Sequence, residues 1–431
     1  MADEKYDAIV VGAGMAGNAA AYRLAKAGLQ VVVVERGSFP GSKNLSGGVL
    51  YGRVLHQLIP EYWKEAPVER CITNEIITFL TDKASFSVDF KTQAFAEPPF
   101  NGFTVLRSKF DRWFSEKAEA AGAILVAGIK VDGVLREAGR VVGVAAGGEE
   151  IRADVVILAD GANSFLAQEA GLREKIPTSQ LALGVKQVIG LPRDVIEDRF
   201  HLAGSEGAAY SLVGSISGGV TGGGFLYTNL ESLSVGLVMN LDELVEGQDK
   251  PPEILEAFLA HPAIAPLVKD GKSLEYGAHL VAEGGIAMMP RLYTDGMLVT
   301  GDAAGFSVNN GFVVRGMDLA IGSGIAAAET VIAAKARNDF SAASLSEYQR
   351  RLEASNVLGD LKTYANAPQF LKNKRLYRGY PEMLTGLMTQ IYRQEAQPKQ
   401  HLMQMVMKSL KQGHVSLFDL VKDGFTGGRT L

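Results

Sequence analysis

Cysteine is nearly absent from this chain. Cys71 is the only one in 431 residues, so no disulfide can close within the chain, which suits a reducing cytoplasm. An iron–sulfur cluster needs about four thiolates, so this chain cannot hold one alone. Cys71 reads as a small core residue rather than a redox group. The six histidines show no ligand spacing. No metal site and no Ser-His-Asp arrangement is read. Excess positive charge is also missing: a net charge of −5 gives no electrostatic case for binding nucleic acid. No apolar run approaches the roughly 18 residues of a transmembrane helix, and the polar start from Met1 to Lys5 reads as no signal peptide. Any membrane contact is therefore expected to be peripheral. Internal repeats and low-complexity segments are absent too.

What is present describes an ordinary globular protein, 47% hydrophobic and 21% charged. Its length exceeds what one hydrophobic core usually serves, so two domains are expected. The most informative stretch runs from Tyr6 to Arg36. A short apolar strand (Ala8-Ile9-Val10-Val11) precedes Gly12-Ala13-Gly14-Met15-Ala16-Gly17, an Ala-rich helix follows, and Val31-Val32-Val33-Val34-Glu35-Arg36 closes the unit. In a dinucleotide site of this kind the first glycine permits a tight turn. The second lets backbone approach a pyrophosphate, and the third packs helix on sheet. The open N–H groups and dipole of the helix start favour the phosphates. Glu35, about 20 residues beyond the glycines, can accept from both adenosine ribose hydroxyls and would repel a 2′-phosphate.

Two more glycine stretches follow. Val155-Val156-Ile157-Leu158 leads to Ala159-Asp160-Gly161, where a close turn can touch the pyrophosphate or seal the pocket. Met297-Leu298-Val299-Thr300 leads to Gly301-Asp302-Ala303-Ala304-Gly305, where Asp302 can hold a ribityl hydroxyl. Beyond it, Asn309 to Gly316, with Gly311, Phe312 and Val313 at its centre, opens a long small-residue helix over 316–337. That helix start would place positive dipole beside the flavin N1 and C2 carbonyl. Val131, heading a hairpin, joins the expected cofactor-binding set. Arg107, four residues before Asp111, is either a forked donor to the pyrophosphate or half of a surface helix pair. Together the three stretches describe a cradle for FAD.

The cofactor domain is expected in three pieces, 1–75, 105–180 and 276–343. An inserted antiparallel-sheet domain takes 76–104 and 181–275, where alternation such as Leu233, Val235, Leu237 marks strands. From 344 to 431 the chain reads as a helical C-terminal region. The expected fold class is thus an α/β FAD-binding Rossmann-like fold with an inserted antiparallel-sheet domain and a helical C-terminal region.

These motifs resemble glutathione-reductase-type flavoproteins of the hydroxylase and geranylgeranyl reductase branch. Longer strings narrow the resemblance. Val105-Leu106-Arg107-Ser108-Lys109-Phe110-Asp111, Gly222-Gly223-Gly224-Phe225-Leu226-Tyr227-Thr228-Asn229 and Val314-Arg315-Gly316-Met317-Asp318-Leu319-Ala320-Ile321 are similar to the FixC-type flavoproteins of the electron-transfer-flavoprotein:quinone oxidoreductase family. The similarity runs nearly end to end, to Leu420-Val421-Lys422-Asp423-Gly424. The large quinone oxidoreductases carry a C-terminal cysteine cluster that this chain lacks, so a small ferredoxin-like partner would supply it. The resemblance implies electron flow from an electron-transfer flavoprotein to a quinone, in a bifurcating assembly at the inner face of the cytoplasmic membrane.

It also implies roles for two segments. Lys43 to Gly48 would pass along the isoalloxazine, with Ser46, Gly47 and Gly48 near the ring; a plain loop is the other reading. Gly222, Gly223 and Gly224 would let a flat quinone lie close, with the Tyr227 hydroxyl beside it, whereas Phe225 reads as core. Met383, Leu384, Leu387, Met388 and Ile391 form one helix face, which is either core or a dock for a membrane or partner. The competing functions are a polyprenyl lipid reductase of the geranylgeranyl type and an NAD(P)H-dependent aromatic hydroxylase.

Overall fold

The computed structural model describes residues 5–44, 47–247 and 250–431. The chain shuttles between two sheets. It opens with β1 (Lys5–Val11), helix α1 (Met15–Lys26) and β2 (Val31–Glu35). It then crosses to a second sheet at β3 (Gly48–Leu50), β4 (Val68–Thr81), β5 (Ala84–Lys91) and β6 (Phe103–Val105). Helix α2 (Arg107–Ala120) leads back for β7 (Ile124–Ala127), β8 (Val131–Glu137), β9 (Arg140–Ala146) and β10 (Glu149–Leu158). The second sheet next takes β11 (Leu181–Gly190), β12 (Glu206–Gly214), β13 (Gly222–Thr228), β14 (Ser232–Asn240) and β15 (Lys272–Ala282). Short strands β16 (Tyr293–Thr294) and β17 (Met297–Val299) return to the first sheet and precede helix α3 (Met317–Arg337). The remainder is helical, ending with α4 (Gly379–Tyr392), α5 (Leu402–Gln412) and α6 (Leu417–Thr430).

The first sheet runs β16-β17-β10-β1-β2-β7, with the β8–β9 hairpin attached to β10. Its centre is parallel: Ala8 to Val11 pair with Val31 to Val34 on one side and with Val155 to Leu158 on the other. A parallel strand covered on both faces must be apolar throughout, and all twelve of these residues are buried. Helices α1 and α3 cover one face and need small residues to approach each other. A Cβ on Gly324 would lie 2.2 Å from the Ala16 carbonyl oxygen, so only glycine permits that crossing. Helix α3 is the one helix among the described residues long and apolar enough to cross a membrane, contrary to the reading of the sequence. Yet 67% of its apolar window is buried, because it is the core helix of this layer.

The second sheet runs β15-β11-β14-β13-β12-β4-β6-β3, with β5 on β4. Its pairs are antiparallel except β4 with β12, which is parallel. The chain visits the first sheet between those two strands, so no hairpin constrains their direction. The sheet also takes in more chain than the alternation suggested: β3 joins it, β4 begins at Val68 and β15 runs to Ala282. Helix α4 lies against β4, β5 and α5. Its Met383, Leu384, Leu387, Met388 and Ile391 are half-buried there, so that stripe is packing surface.

Candidate functional site

A cavity of about 1040 Å³ is lined by residues of both sheets. One end is the turn after β1. Gly12 has φ +102°, and a Cβ on it would sit 2.4 Å from the Ala159 carbonyl oxygen. A Cβ on Gly17 would sit 1.8 Å from the Gly12 carbonyl oxygen. These two positions hold the turn tight against both the sheet and α1. Gly12, Gly14, Met15 and Ala16 face the cavity. Ala13 instead turns its N–H to Glu35, and Gly17 packs inside the turn. Helix α1 starts with no side-chain cap and no acid in its first turn, so its N–H groups and dipole stay available to an anion.

Glu35 ends β2 and lines the cavity with Arg36. Its carboxylate is held from two sides, Oε2 accepting from Ala13 N at 2.9 Å and Oε1 from Gly37 N at 2.6 Å. Each oxygen keeps a lone pair for another donor. Val131 and Gly161 also line the cavity. Arg107 belongs to a buried ion pair rather than a surface one. It grips Asp111 as a fork at 2.7 and 2.8 Å, and its Nη2 lies 3.8 Å from where a Gly14 Cβ would be. Burial works against the guanidinium charge, and Asp111 more than restores it. One residue that sequence reasoning missed, Asn18, helps build this corner. Asp111 also accepts from Asn44 at 2.6 Å. The fully buried Asn18 bonds the carbonyls of Ala13 and Asp111, tying the glycine turn to α2.

Asp160 and Asp302 sit at the ends of β10 and β17 and line the cavity together with Gly301. Burial raises both carboxyls, so each tolerates an anion nearby better than an ordinary aspartate. Asp302 is exposed by surface area because it projects into the cavity, although protein surrounds it. Asp160 accepts from Leu166 N at 3.3 Å through Oδ2, and its Oδ1 is buried with no partner among the described residues.

Gly47, Gly48, Gly311, Phe312 and the start of α3 at Gly316 and Met317 line the cavity as well. Ser46 lies outside the described residues. Val313 departs from expectation: it does not line the cavity, because its N–H is held by Asn310 Oδ1 at 2.9 Å in the turn. The same oxygen accepts from Phe312 N at 3.1 Å, so Phe312 reaches the cavity by its side chain. On the second sheet, Gly222, Gly223, Gly224 and Tyr227 line the wall, and Phe225 joins them, stacked on Tyr227 with centroids 5.0 Å apart. Phe225 was expected in the core and instead faces the cavity, since alternation sets it on the same side as Gly223 and Tyr227. Burial, then the neighbouring Glu75 carboxyl, raises the Tyr227 phenol.

Three titratable residues on or beside this wall escaped the sequence reading. Lys186, His279 and Glu283 all face the cavity. Burial pushes the Glu283 carboxyl up to about 7 and lowers the His279 imidazole. A lysine inside the apolar run from Leu181 to Ile189 was the signal available for Lys186. Among the described residues no cluster of metal-ligating side chains occurs.

FAD fits these residues. The uncapped helix start, the glycine turn that a Cβ would fill and the buried orphan oxygen of Asp160 suit a pyrophosphate and its flanking hydroxyls. Glu35 would hold the adenosine ribose. Arg107 and the α1 start would hold the phosphates, and Asp302 the ribityl chain. The bound flavin would supply the electron chemistry.

Comparison with known proteins agrees. Residues 7–83 match the FAD dependent oxidoreductase family, and residues 367–431 match the ETF-QO/FixC family C-terminal domain. The chain is 48% identical to the probable electron transfer flavoprotein-quinone oxidoreductase YdiS of Escherichia coli K12, over the full length of both. It is 46% identical to the FixC protein of the same strain, covering 99% of each. Among solved structures, a geranylgeranyl bacteriochlorophyll reductase-like protein from Thermoplasma acidophilum superimposes with a TM-score of 0.74 at 21% identity, over 98% of this chain and 99% of the other. At that identity the likeness shows the fold alone.

Proposed function

The chain belongs to the ETF-QO/FixC family of FAD-dependent electron-transfer oxidoreductases, and from that membership we propose that it carries electrons from an electron-transfer flavoprotein to a membrane quinone. The observation that carries the reading is the continuous cavity. One end is the dinucleotide turn of the first sheet. Another part of its lining is a wall of glycine and aromatic residues, Gly222 to Gly224, Phe225 and Tyr227, the kind of surface a flat apolar ring would lie against. Electrons need only tunnelling distance between flavin and acceptor, so no side chain has to act as acid or base in the slow step.

The single cysteine supports a separate ferredoxin-like subunit as the holder of the iron–sulfur cluster. The family relationship supports placing the chain in a bifurcating assembly driven by NADH, with low-potential ferredoxin or flavodoxin as the second product. Peripheral association with the inner face of the cytoplasmic membrane is supported by the outer face of α6. Leu417, Phe418, Val421 and Phe425 are 52%, 75%, 70% and 63% exposed there. Residues 393–431 hold six Lys or Arg against three Asp or Glu. One of those acids is buried, Asp423, which accepts from Arg375, Tyr380 and Asn373, and Asp419 is engaged by Ser416 in the capping box of α6 and pairs with Arg375. The outward surface thus combines apolar and cationic groups, as an anionic bilayer surface requires.

The rival activities are tested by turnover of the purified FAD-loaded chain. A hydroxylase consumes oxygen with NAD(P)H, and a lipid reductase saturates prenyl C=C bonds. The proposed subunit does neither. Sustained turnover in either assay overturns the proposal.

A further inference from the structure

Lys186 stands in the middle of β11, where its neighbours Val185, Val188 and Ile189 are buried apolar residues. Its side chain enters the cavity rather than reaching solvent. The sheet makes room for it with glycine on both flanks: Gly236 of β14 and Gly277 of β15 are its direct partners. A Cβ on Gly236 would lie 2.6 Å from Lys186 Cβ and 2.8 Å from the Phe225 ring. The ammonium has three donors, and among the described residues one protein acceptor takes one of them, the Gly47 carbonyl at 2.8 Å. Burial is the largest influence on the amine and pushes its pKa down to about 7; Arg107 acts in the same direction and Glu275 against it. Holding such a group inside a protein is costly unless something in the cavity completes its hydrogen bonds.

The location says what that partner is. Lys186 is anchored on Gly47, which lines the cavity beside Gly48. A Cβ on Gly48 would lie 3.1 Å from Met317 Cε, at the start of α3. That part of the cavity is where the reducible ring of FAD would lie, because the glycine turn and Glu35 form the part suited to the pyrophosphate and adenosine. The ring gains negative charge when it takes up electrons, and a cation beside it stabilises that form selectively.

We propose that Lys186 is the cation facing the flavin ring, and that it favours the reduced cofactor over the oxidised one and so sets how firmly this chain holds electrons before passing them on. The proposal requires FAD in the cavity but neither an electron-transfer flavoprotein nor a quinone, so it stands or falls separately from the functional assignment.

The test compares wild type with Lys186→Met and Lys186→Arg. Three quantities are measured: the affinity of apoprotein for oxidised FAD, the midpoint potential of the bound flavin against an indicator dye, and the affinity for sulfite, which adds to oxidised flavin and leaves negative charge on the ring. Lys186→Met is expected to keep one FAD per chain with oxidised affinity within about threefold. Its preference for the reduced form should fall by about tenfold or more, a drop of about 30 mV for a two-electron couple, and sulfite binding should weaken in parallel. Lys186→Arg should recover most of both. Met removes a buried charge, so the variant should fold at least as well; Lys186→Gln is the second variant should it not. An unchanged potential and sulfite affinity would overturn the proposal. So would loss of oxidised FAD binding with no shift in potential, which would assign Lys186 to holding the cofactor rather than tuning it.

Discussion

Replacing Glu35 by alanine probes the cofactor cradle at its most specific point. In the wild type two backbone donors, Ala13 N and Gly37 N, fix the carboxylate. The lone pairs left over are the ones that would accept from the adenosine ribose of bound FAD. Truncation removes the charge-assisted bonds to the ribose hydroxyls, about 1–3 kcal/mol, or about 5- to 150-fold in the dissociation constant. It also releases the Ala13 N–H that positions the glycine turn. Glu35→Gln is not a rescue: one oxygen becomes an NH₂ and meets a backbone donor head-on. The assay is titration of apoprotein with FAD and, in parallel, with FMN, which lacks the adenosine half. FAD affinity should fall and FMN affinity should stay, so the preference for FAD narrows. An unchanged FAD affinity, or equal losses for FAD and FMN, would refute the assignment of Glu35 to the ribose.

Three other outcomes are expected. Gly223→Trp should keep the flavin spectrum and abolish quinone reduction in the reconstituted complex, because a Cβ there meets only the Leu212 carbonyl at 3.2 Å and the ring would project into the cavity; full quinone activity would place the acceptor elsewhere. Burial raises the Glu75 carboxyl from 4.5 to about 7, so the folded state keeps a proton that the unfolded chain has lost between those values, and stability falls as pH rises through that window. Denaturant midpoints should therefore show Glu75→Gln more stable than wild type by about 3 kcal/mol near pH 8 and no better near pH 4, and an equal gain at both would contradict the cause. Phe418→Ser with Phe425→Ser should retain FAD and lose binding to vesicles of anionic phospholipid; retained vesicle binding, or lost binding to a ferredoxin-like subunit instead, would assign the α6 face to another partner.

The cofactor cradle was legible because a dinucleotide demands unusual backbone, and unusual backbone demands glycine. Gly12 and Gly17 each stand where a single added carbon would strike a carbonyl oxygen, so their spacing records geometry directly. The strand cores were legible for a similar reason, since Val31 to Val34 can only be buried on both faces. Contacts between distant segments were not. Asn18 and Asp111 lie 93 residues apart, and nothing local marks either as the bond between glycine turn and helix α2. Lys186 carried a signal, a charge in an apolar strand, but only the register that sets Gly236 and Gly277 beside it shows that it enters the cavity. The stripe on α4 and the exposed face of α6 have the same amphipathic pattern. Which one packs and which stays open depends on what each meets in the fold. Val313 was misplaced because an asparagine side chain, Asn310, takes the N–H that the helix start was expected to offer.

The claim that joins fold to function is that one bound FAD accepts electrons from an electron-transfer flavoprotein and yields them to a quinone. Anaerobic mixing tests it most directly: the FAD-loaded chain is mixed with a reduced electron-transfer flavoprotein, then with a quinone, while the flavin spectrum is followed. The account predicts bleaching in the first step and recovery in the second, with no bleaching by NADH alone. A flavin that stays oxidised before the reduced flavoprotein, yet bleaches directly with NADH, would contradict it.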